Sequence, residues 1–230
     1  NESAYRKFTF DKWEAIVDIG GIAPKYQPGH AHADTFNFVI NTQNKNFIVD
    51  TGISTYNIGK ERTLQRSTKS HNTLFVNHQN SSQIWSGFRV AKRAKVKIIS
   101  ENNQKIIAQH DGYKNEGILH QRSFEASENC FTLTDELFGD ILGKDCKGYL
   151  HFAPEIDFLK VNSSEIICNN GVKISFENYI KTRNNKFVVN KTISPDLVVY
   201  SDNAKISQIF MNILGNANKF TENGQITVNI

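Results

Sequence analysis

Short apolar runs broken by polar clusters dominate the chain from Phe36 to about Val189. Phe36-Asn37-Phe38-Val39-Ile40, Asn46-Phe47-Ile48-Val49-Asp50, Thr73-Leu74-Phe75-Val76, Lys95-Val96-Lys97-Ile98-Ile99, Lys105-Ile106-Ile107-Ala108 and Phe131-Thr132-Leu133-Thr134 are rich in β-branched and aromatic residues, as strands are. Several alternate polar with apolar positions, which places one face of each strand on a core and the other in water. Between them, Glu101-Asn102-Asn103-Gln104 and Cys168-Asn169-Asn170-Gly171 carry turn chemistry and favour hairpins over helical crossovers. The pattern predicts a mainly β fold, a large antiparallel β-sandwich.

The pattern changes at Pro195. Ser201-Asp202 offers an N-cap, and Ile206, Ile209, Phe210, Ile213, Leu214 and Ala217 recur at helical spacing. One amphipathic helix is expected there, ending near Lys219-Phe220. Glu222-Asn223-Gly224 then turns the chain into a final strand, Gln225 to Ile230. The expected division is a β-sandwich over residues 1–194 and a helix-strand appendage over 195–230.

Composition narrows the class. The 230 residues are 39% hydrophobic and 22% charged, sufficient for one core plus a smaller unit. No run of eighteen apolar residues exists, so no membrane span is expected, and the first residues lack the apolar stretch of a signal peptide. The first residue is not Met and a strand-like pattern follows almost at once, so the chain reads as a piece of a longer gene product. Cys130, Cys146 and Cys168 are odd in number and far apart, which excludes a CxxC metal pair and a complete disulfide framework. The net charge of +4 is modest. Its distribution says more, because Arg62, Arg66, Arg89, Lys92 and Arg93 gather in one stretch that suits a polyanion, or alternatively forms a solvated basic face. Residues 196–230 hold three acids against two lysines.

Chemistry concentrates in Gly29-His30-Ala31-His32-Ala33-Asp34. On an extended segment His30, His32 and Asp34 share one face while the two alanines take the other. A lone His is usually a satisfied polar residue; two with an Asp at period two suggest a metal or catalytic cluster. Asp50 ends an apolar run before Thr51-Gly52, and His71 lies in Arg66-Ser67-Thr68-Lys69-Ser70-His71-Asn72-Thr73. Two imidazoles and one carboxylate suit zinc with an open position. Taken alone, Asp50 and His71 equally suit turn and capping roles. A simple hairpin would set Asp50 opposite residues 36 to 38, so His32 must fold back to reach it; otherwise His32 with Asp34 is the alternative ligand set.

These motifs, Asp18-Ile19-Gly20, Pro28 through Asp34, Val49-Asp50-Thr51-Gly52, Tyr56-Asn57, Arg66-Ser67-Thr68 and His71-Asn72-Thr73, occur in an order that resembles the C-terminal domain of heparinase II/III family polysaccharide lyases. The resemblance covers about residues 13–193. It implies a β-sandwich, an anionic, uronate-containing polysaccharide as substrate, and a divalent metal, usually zinc, on His32, Asp50 and His71. It implies that His30 faces the substrate as a catalytic group, and the basic stretch offers Arg62, Arg66 and Arg89 as candidate substrate contacts. The principal Tyr base would come from a preceding helical toroid domain, the expected partner, leaving this piece alone with little activity. A periplasmic or secreted location follows from the resemblance, and no nucleic-acid partner is expected.

The tail, Ser201 to Thr221, resembles the N-box helix of a sensor histidine kinase ATP-binding domain. Asn212, Asn216 and Lys219 fall on one helix face, where amides and an ammonium could meet Mg²⁺ and phosphates; a polar solvent face is the other reading. One helix and one strand cannot enclose ATP, so the tail reads as an incomplete fragment. Two other function classes therefore stand beside the lyase: a carbohydrate-binding or structural β module whose histidines only hydrogen-bond, and a nucleotide-binding signalling fragment.

Overall fold

The computed structural model describes residues 4–23, 26–141 and 143–176, together with the backbone of two further strands. The chain divides into compact units, Asn1–Ile156 and Asp157–Ile230.

In the first unit, β1 (Tyr5–Thr9), β2 (Trp13–Asp18), β3 (Phe38–Thr42) and β4 (Lys45–Ile48) form a four-stranded antiparallel sheet in sequence order. Short strands follow at β5 (Leu74–Val76), β6 (Ile84–Trp85) and β7 (Arg89–Val90). β8 (Val96–Glu101), β9 (Lys105–His110), β10 (Ile118–Ser127) and β11 (Cys130–Gly139) form a second antiparallel sheet, and β12 (Cys146–Gly148) pairs with β5. One short helix, α1 (Lys60–Gln65), lies in the long connection between β4 and β5.

The two four-stranded sheets meet through aromatic rings. Phe131 of β11 lies 6.0 Å from Phe8, 5.7 Å from Trp13 and 5.8 Å from Phe38, ring centre to ring centre. Such tilted contacts suit the ring quadrupoles. The Trp13 indole N–H donates to the Glu128 carbonyl at 2.9 Å, and Arg6 pairs with Glu101. These contacts make the expected two-layer antiparallel arrangement. The β8–β9 hairpin turns where Asn102 was expected to turn it, its Oδ1 accepting from the N–H groups of Gln104 and Lys105.

Along β10 the buried positions are Ile118, His120, Arg122, Phe124 and Ala126. The period of two therefore carries an imidazole and a guanidinium into the core. Such groups are stable there only with hydrogen-bond partners.

In the second unit, β13 (Phe158–Val161), β14 (Glu165–Cys168) and β15 (Lys173–Ser175) make an antiparallel three-stranded sheet. β16 (Lys186–Asn190) pairs in parallel with β17 (Gln225–Asn229), so the final strand forms as its sequence predicts. The expected helix, with Asn212, Asn216 and Lys219, lies outside the described residues. Among the described residues no helix is long and apolar enough to cross a membrane.

Candidate metal and substrate site

Three separate segments build the site. Pro28–His30 forms a 3-10 turn, and the chain then runs extended through Ala31. Ala31 and Ala33 are buried. Their carbonyls accept from Arg66 Nε at 2.9 Å and Thr68 Oγ1 at 2.8 Å, and the Ala33 N–H donates to the Arg66 carbonyl. With the alanines fixed against the α1 connection, His32 and Asp34 take the opposite side. His30 belongs to the turn rather than to this extended face.

A reversal follows directly. The Asn37 N–H donates to the Asp34 carbonyl at 2.8 Å, and Phe36 sits at φ +69°, a left-handed conformation rare for a bulky residue. This reversal leads into β3 and returns the chain beside the end of β4. Asn37 Nδ2 then donates to Asp50 Oδ2 at 2.5 Å, so Asp50 does stand opposite residue 37. His32 nevertheless reaches the same place, because the chain folds on both sides of Ala31–Asp34.

The third segment brings His71. Its Nδ1 lies 2.7 Å from Asp50 Oδ2, while Asp50 Oδ1 accepts from the Gly52 N–H at 2.8 Å. The His32 and His71 ring centres are 5.2 Å apart. His71 is 1% exposed and its Nε2 has no hydrogen-bond partner. A buried ring nitrogen without a partner costs about 1–3 kcal/mol, so Nε2 is where a further group would be stabilised. Next door, the buried Asn72 amide donates to the carbonyls of Phe38 and Val49, both at 2.8 Å, and so ties His71 to β3 and the end of β4.

Electrostatics complement this geometry. Burial, with the His71 charge adding, lowers His32 to about 4 against the opposing pull of Asp50, which leaves it neutral with a free lone pair near neutral pH. Burial pushes Asp50 up, but the His71 hydrogen bond and charge bring it below the ordinary carboxylate value. Burial raises Asp34 to about 6 and Asp18 to about 7, with the Gly20 N–H opposing in Asp18.

His32, Asp50 and His71 are thus brought together from three segments. Among the described residues, however, no three His, Cys, Asp or Glu side chains are arranged as they stand to hold one metal ion. His71 Nδ1 is turned onto Asp50 instead. The orphaned Nε2 and the two-imidazole, one-carboxylate donor set fit a divalent metal of the zinc type.

The remaining expected residues separate. His30 is exposed, edge-on to Tyr56 at 6.0 Å. Arg62 and Arg66 do not present the substrate-facing charge expected of them, because both are buried. Arg62 donates to the carbonyls of Gly87, Thr55 and Gly29, and Arg66 to those of Ala31 and Arg89. A guanidinium has five donors in a fixed fork and can hold several loop carbonyls at once. Arg89 is the exposed member of the three.

A second polar cluster escaped the sequence reading. Gly112 N–H donates to His110 Nδ1 at 3.0 Å, which fixes the His110 proton on Nε2. That nitrogen lies 2.9 Å from His120 Nδ1, and His120 Nε2 lies 2.6 Å from Asp135 Oδ1. Arg122 clamps the same carboxylate with two bonds of 2.7 Å. Its third nitrogen reaches the carbonyls of Phe36 and Asn72 at 2.9 and 2.8 Å, directly behind the Asn37–Asp50–His71 contacts. A Cβ on Gly112 would stand 2.4 Å from the Ser81 carbonyl oxygen and 2.9 Å from His110 Nδ1. Cross-strand register makes this array: His120 is opposite His110, and Arg122 opposite Asp135. The available signal was His120 and Arg122 at period two among Ile118, Phe124 and Ala126.

Comparison with known proteins identifies the class. The family described as "Heparinase II/III-like, C-terminal" matches residues 1–220. The chain belongs to that family, a domain family of polysaccharide lyases. The match runs through most of the tail whose sequence resembles a kinase segment. Solved structures similar to it include a heparinase III (19% identity, TM-score 0.49, 67% of this chain and 24% of that one). Others are the heparinase III BT4657 gene product (21%, 0.46, 60% and 21%) and the heparan sulfate lyase HepC from Pedobacter heparinus (20%, 0.41, 55% and 19%). The chain spans about a quarter or less of the length of these proteins. No curated protein sequence matches it.

Proposed function

We propose that this chain is the metal-bearing C-terminal β domain of a secreted or periplasmic lyase that cleaves uronate-containing anionic polysaccharide by β-elimination. The observation that carries this reading is the meeting of His32, Asp50 and His71 from three segments, beside a turn that leaves His30 exposed. In β-elimination a base takes the C5 proton of the uronate, the freed electron pair forms the C4=C5 double bond, the C4–O bond breaks, and the departing oxygen takes a proton. Negative charge builds on the uronate carboxylate as the proton leaves. Donors fixed near that carboxylate lower the barrier, and one such donor contributes about 2.7–4 kcal/mol in a water-poor site.

In this domain His30 is the group that faces the carboxylate, as a protonated or hydrogen-bonding imidazole, with Arg89 adding positive charge. His32 and His71 as imidazoles and Asp50 as carboxylate would hold a zinc-type ion, which when bound supplies local positive charge and ties the three segments together. The base and its partners come from the helical domain that precedes the sandwich in this reading. Asn72 keeps His71 on the strand end, and Arg122 keeps the Phe36 and Asn72 carbonyls in place behind it.

Metal analysis of protein purified without a His tag, paired with the ultraviolet absorbance of unsaturated uronate during incubation with heparan-type glycans and alginate, tests the reading. Stoichiometric divalent metal, lost in His32→Ala, is expected, with little turnover until the helical domain is supplied. Strong turnover by the chain alone would refute the division of labour. The direct His71–Asp50 and Asn37–Asp50 hydrogen bonds favour a second reading, a carbohydrate-binding module with a purely structural histidine network. Absence of metal from the purified protein, with stability unchanged in His32→Ala, would select it.

A further inference from the structure

We propose that the β6–β7 hairpin, adjoining His30, is a subsite for an anionic sugar unit, with the Trp85 ring as its stacking face and Arg89 as its anion contact. The proposal rests on the polysaccharide reading above, and needs neither the metal nor the elimination step.

The hairpin is built for presentation. Ile84 pairs with Val90 and Trp85 with Arg89, and Ser86, Gly87 and Phe88 make a three-residue turn in which Ser86 and Gly87 are left-handed at φ +44° and +65°. Trp85 is 49% exposed. The Arg89 guanidinium lies 5.0 Å from the centre of its ring, and makes no hydrogen bond or ion pair among the described residues.

Two buried arginines fix this hairpin beside His30. Arg62 Nε donates to the Gly87 carbonyl at 2.7 Å and its Nη2 to the Gly29 carbonyl at 3.0 Å. Arg66 links the Ala31 and Arg89 carbonyls at 2.9 and 3.3 Å. The Phe88 ring stacks on the Arg62 guanidinium at 4.3 Å, and Tyr56 at 4.9 Å. Trp85, Arg89, Tyr56 and His30 therefore stand on a common scaffold rather than on independent loops. A side chain held before the ligand arrives loses less entropy on binding.

Charge chooses the occupant. From Arg62 to Ser100 the sequence contains eight lysines and arginines and no acidic residue, and none of the eight is in an ion pair among the described residues. A pyranose ring offers C–H groups to an indole face, and its carboxylate or sulfate matches a free guanidinium. A neutral sugar would use only the ring. A protein partner remains as an outcome of the test.

The experiment titrates the chain calorimetrically with hexasaccharides of heparan sulfate, alginate and cellulose, and follows tryptophan emission in Trp13→Phe, where Trp85 is the sole tryptophan. The anionic hexasaccharides should shift that emission and bind with an affinity that falls as salt rises. Trp85→Ala and Arg89→Ala should each weaken them about ten-fold, with Trp85→Tyr and Arg89→Lys recovering part of the loss. Unchanged melting curves for these exposed positions would keep the result from being one of misfolding. Equal binding of the cellulose hexasaccharide would overturn the anionic assignment. Anionic hexasaccharides that leave Trp85 emission unchanged, or bind Trp85→Ala as well as the parent, would overturn the subsite and leave this face to a protein partner. Metal content and turnover do not enter the measurement, so its failure is distinct from failure of the lyase reading.

Discussion

The first unit contains two histidine-aspartate clusters, and they differ in how completely their polar atoms are satisfied. In the His110–His120–Asp135–Arg122 array every ring nitrogen and both carboxylate oxygens have partners. In the His32–Asp50–His71 group, His71 Nε2 is buried with nothing to meet. Residue type alone does not separate them, since both offer two imidazoles and a carboxylate. The closed array has no capacity left for a ligand and serves as structure, while the open one retains donor capacity. Arg122 joins the two by holding the carbonyls of Phe36 and Asn72.

Breaking the closed array should have the largest effect. Arg122→Ala leaves the partly exposed Asp135 carboxylate and two carbonyls short of their donor, and should cost about 3 kcal/mol in urea unfolding. A loss below about 1 kcal/mol would show that water replaces the guanidinium and that the array is less closed than its hydrogen bonds imply.

The open cluster should instead respond to metal. Zinc at a hundred times its dissociation constant should stabilise the chain by about 2.7 kcal/mol, measured as a chelator-reversible rise in melting temperature. His32→Ala should abolish that rise, whereas His110→Ala should keep it while lowering the melting temperature of the metal-free protein.

Acid should act on both clusters, since burial lowers His32 to about 4 as it lowers the histidines of the closed array. Burial lowers His110 well below the ordinary histidine value and His120 below it, with Asp135 opposing in His120, so in the fold both take up protons later than unfolded histidines, which charge below pH 6.5. The unfolded chain then binds more protons, and stability falls as pH drops from 7 to 5. The loss is about 2 kcal/mol for each histidine still neutral in the fold at pH 5. Asp135 acts lower: burial pushes it up, but Arg122 and His120 hold it well below the carboxylate range, so its contribution is complete above about pH 4 and fades as pH falls further. Asp18 has the opposite sign, because a carboxyl raised to about 7 takes up its proton in the fold first and favours folding as pH falls through that value. Asp18→Asn should therefore steepen the acid loss between pH 7 and 5, as followed by urea unfolding at each pH. A shallower loss would show that Asp18 does not gain its proton early.

The smallest effect belongs to His30. Its side chain is exposed and outside both clusters, so His30→Ala should change unfolding free energy by less than about 0.5 kcal/mol and leave metal content intact. In the complete enzyme the same substitution should lower turnover, and loss of metal in this variant would place His30 in the open cluster instead.

The sequence by itself determined the strands and their turns, because alternation and Asn/Gly turn chemistry act over a few residues: β8, β9 and β11 formed where Lys95–Ile99, Lys105–Ala108 and Phe131–Thr134 placed them. It also marked His30, His32, Asp50 and His71, since they stand in short distinctive motifs. Only the tertiary structure decided which charges were available. Arg62 and Arg66 lie among the basic residues of a polar stretch, yet folding turns them onto carbonyls left over by loops. His110, His120 and Asp135 lie up to 25 residues apart and meet through strand register, which no local pattern states. The bend at Asp34–Asn37 that brings His32 beside Asp50 depends on Phe36 accepting a left-handed backbone. That conformation is unfavourable locally and persists because burial of the Phe36 ring against His110, His120 and Phe124 holds it there.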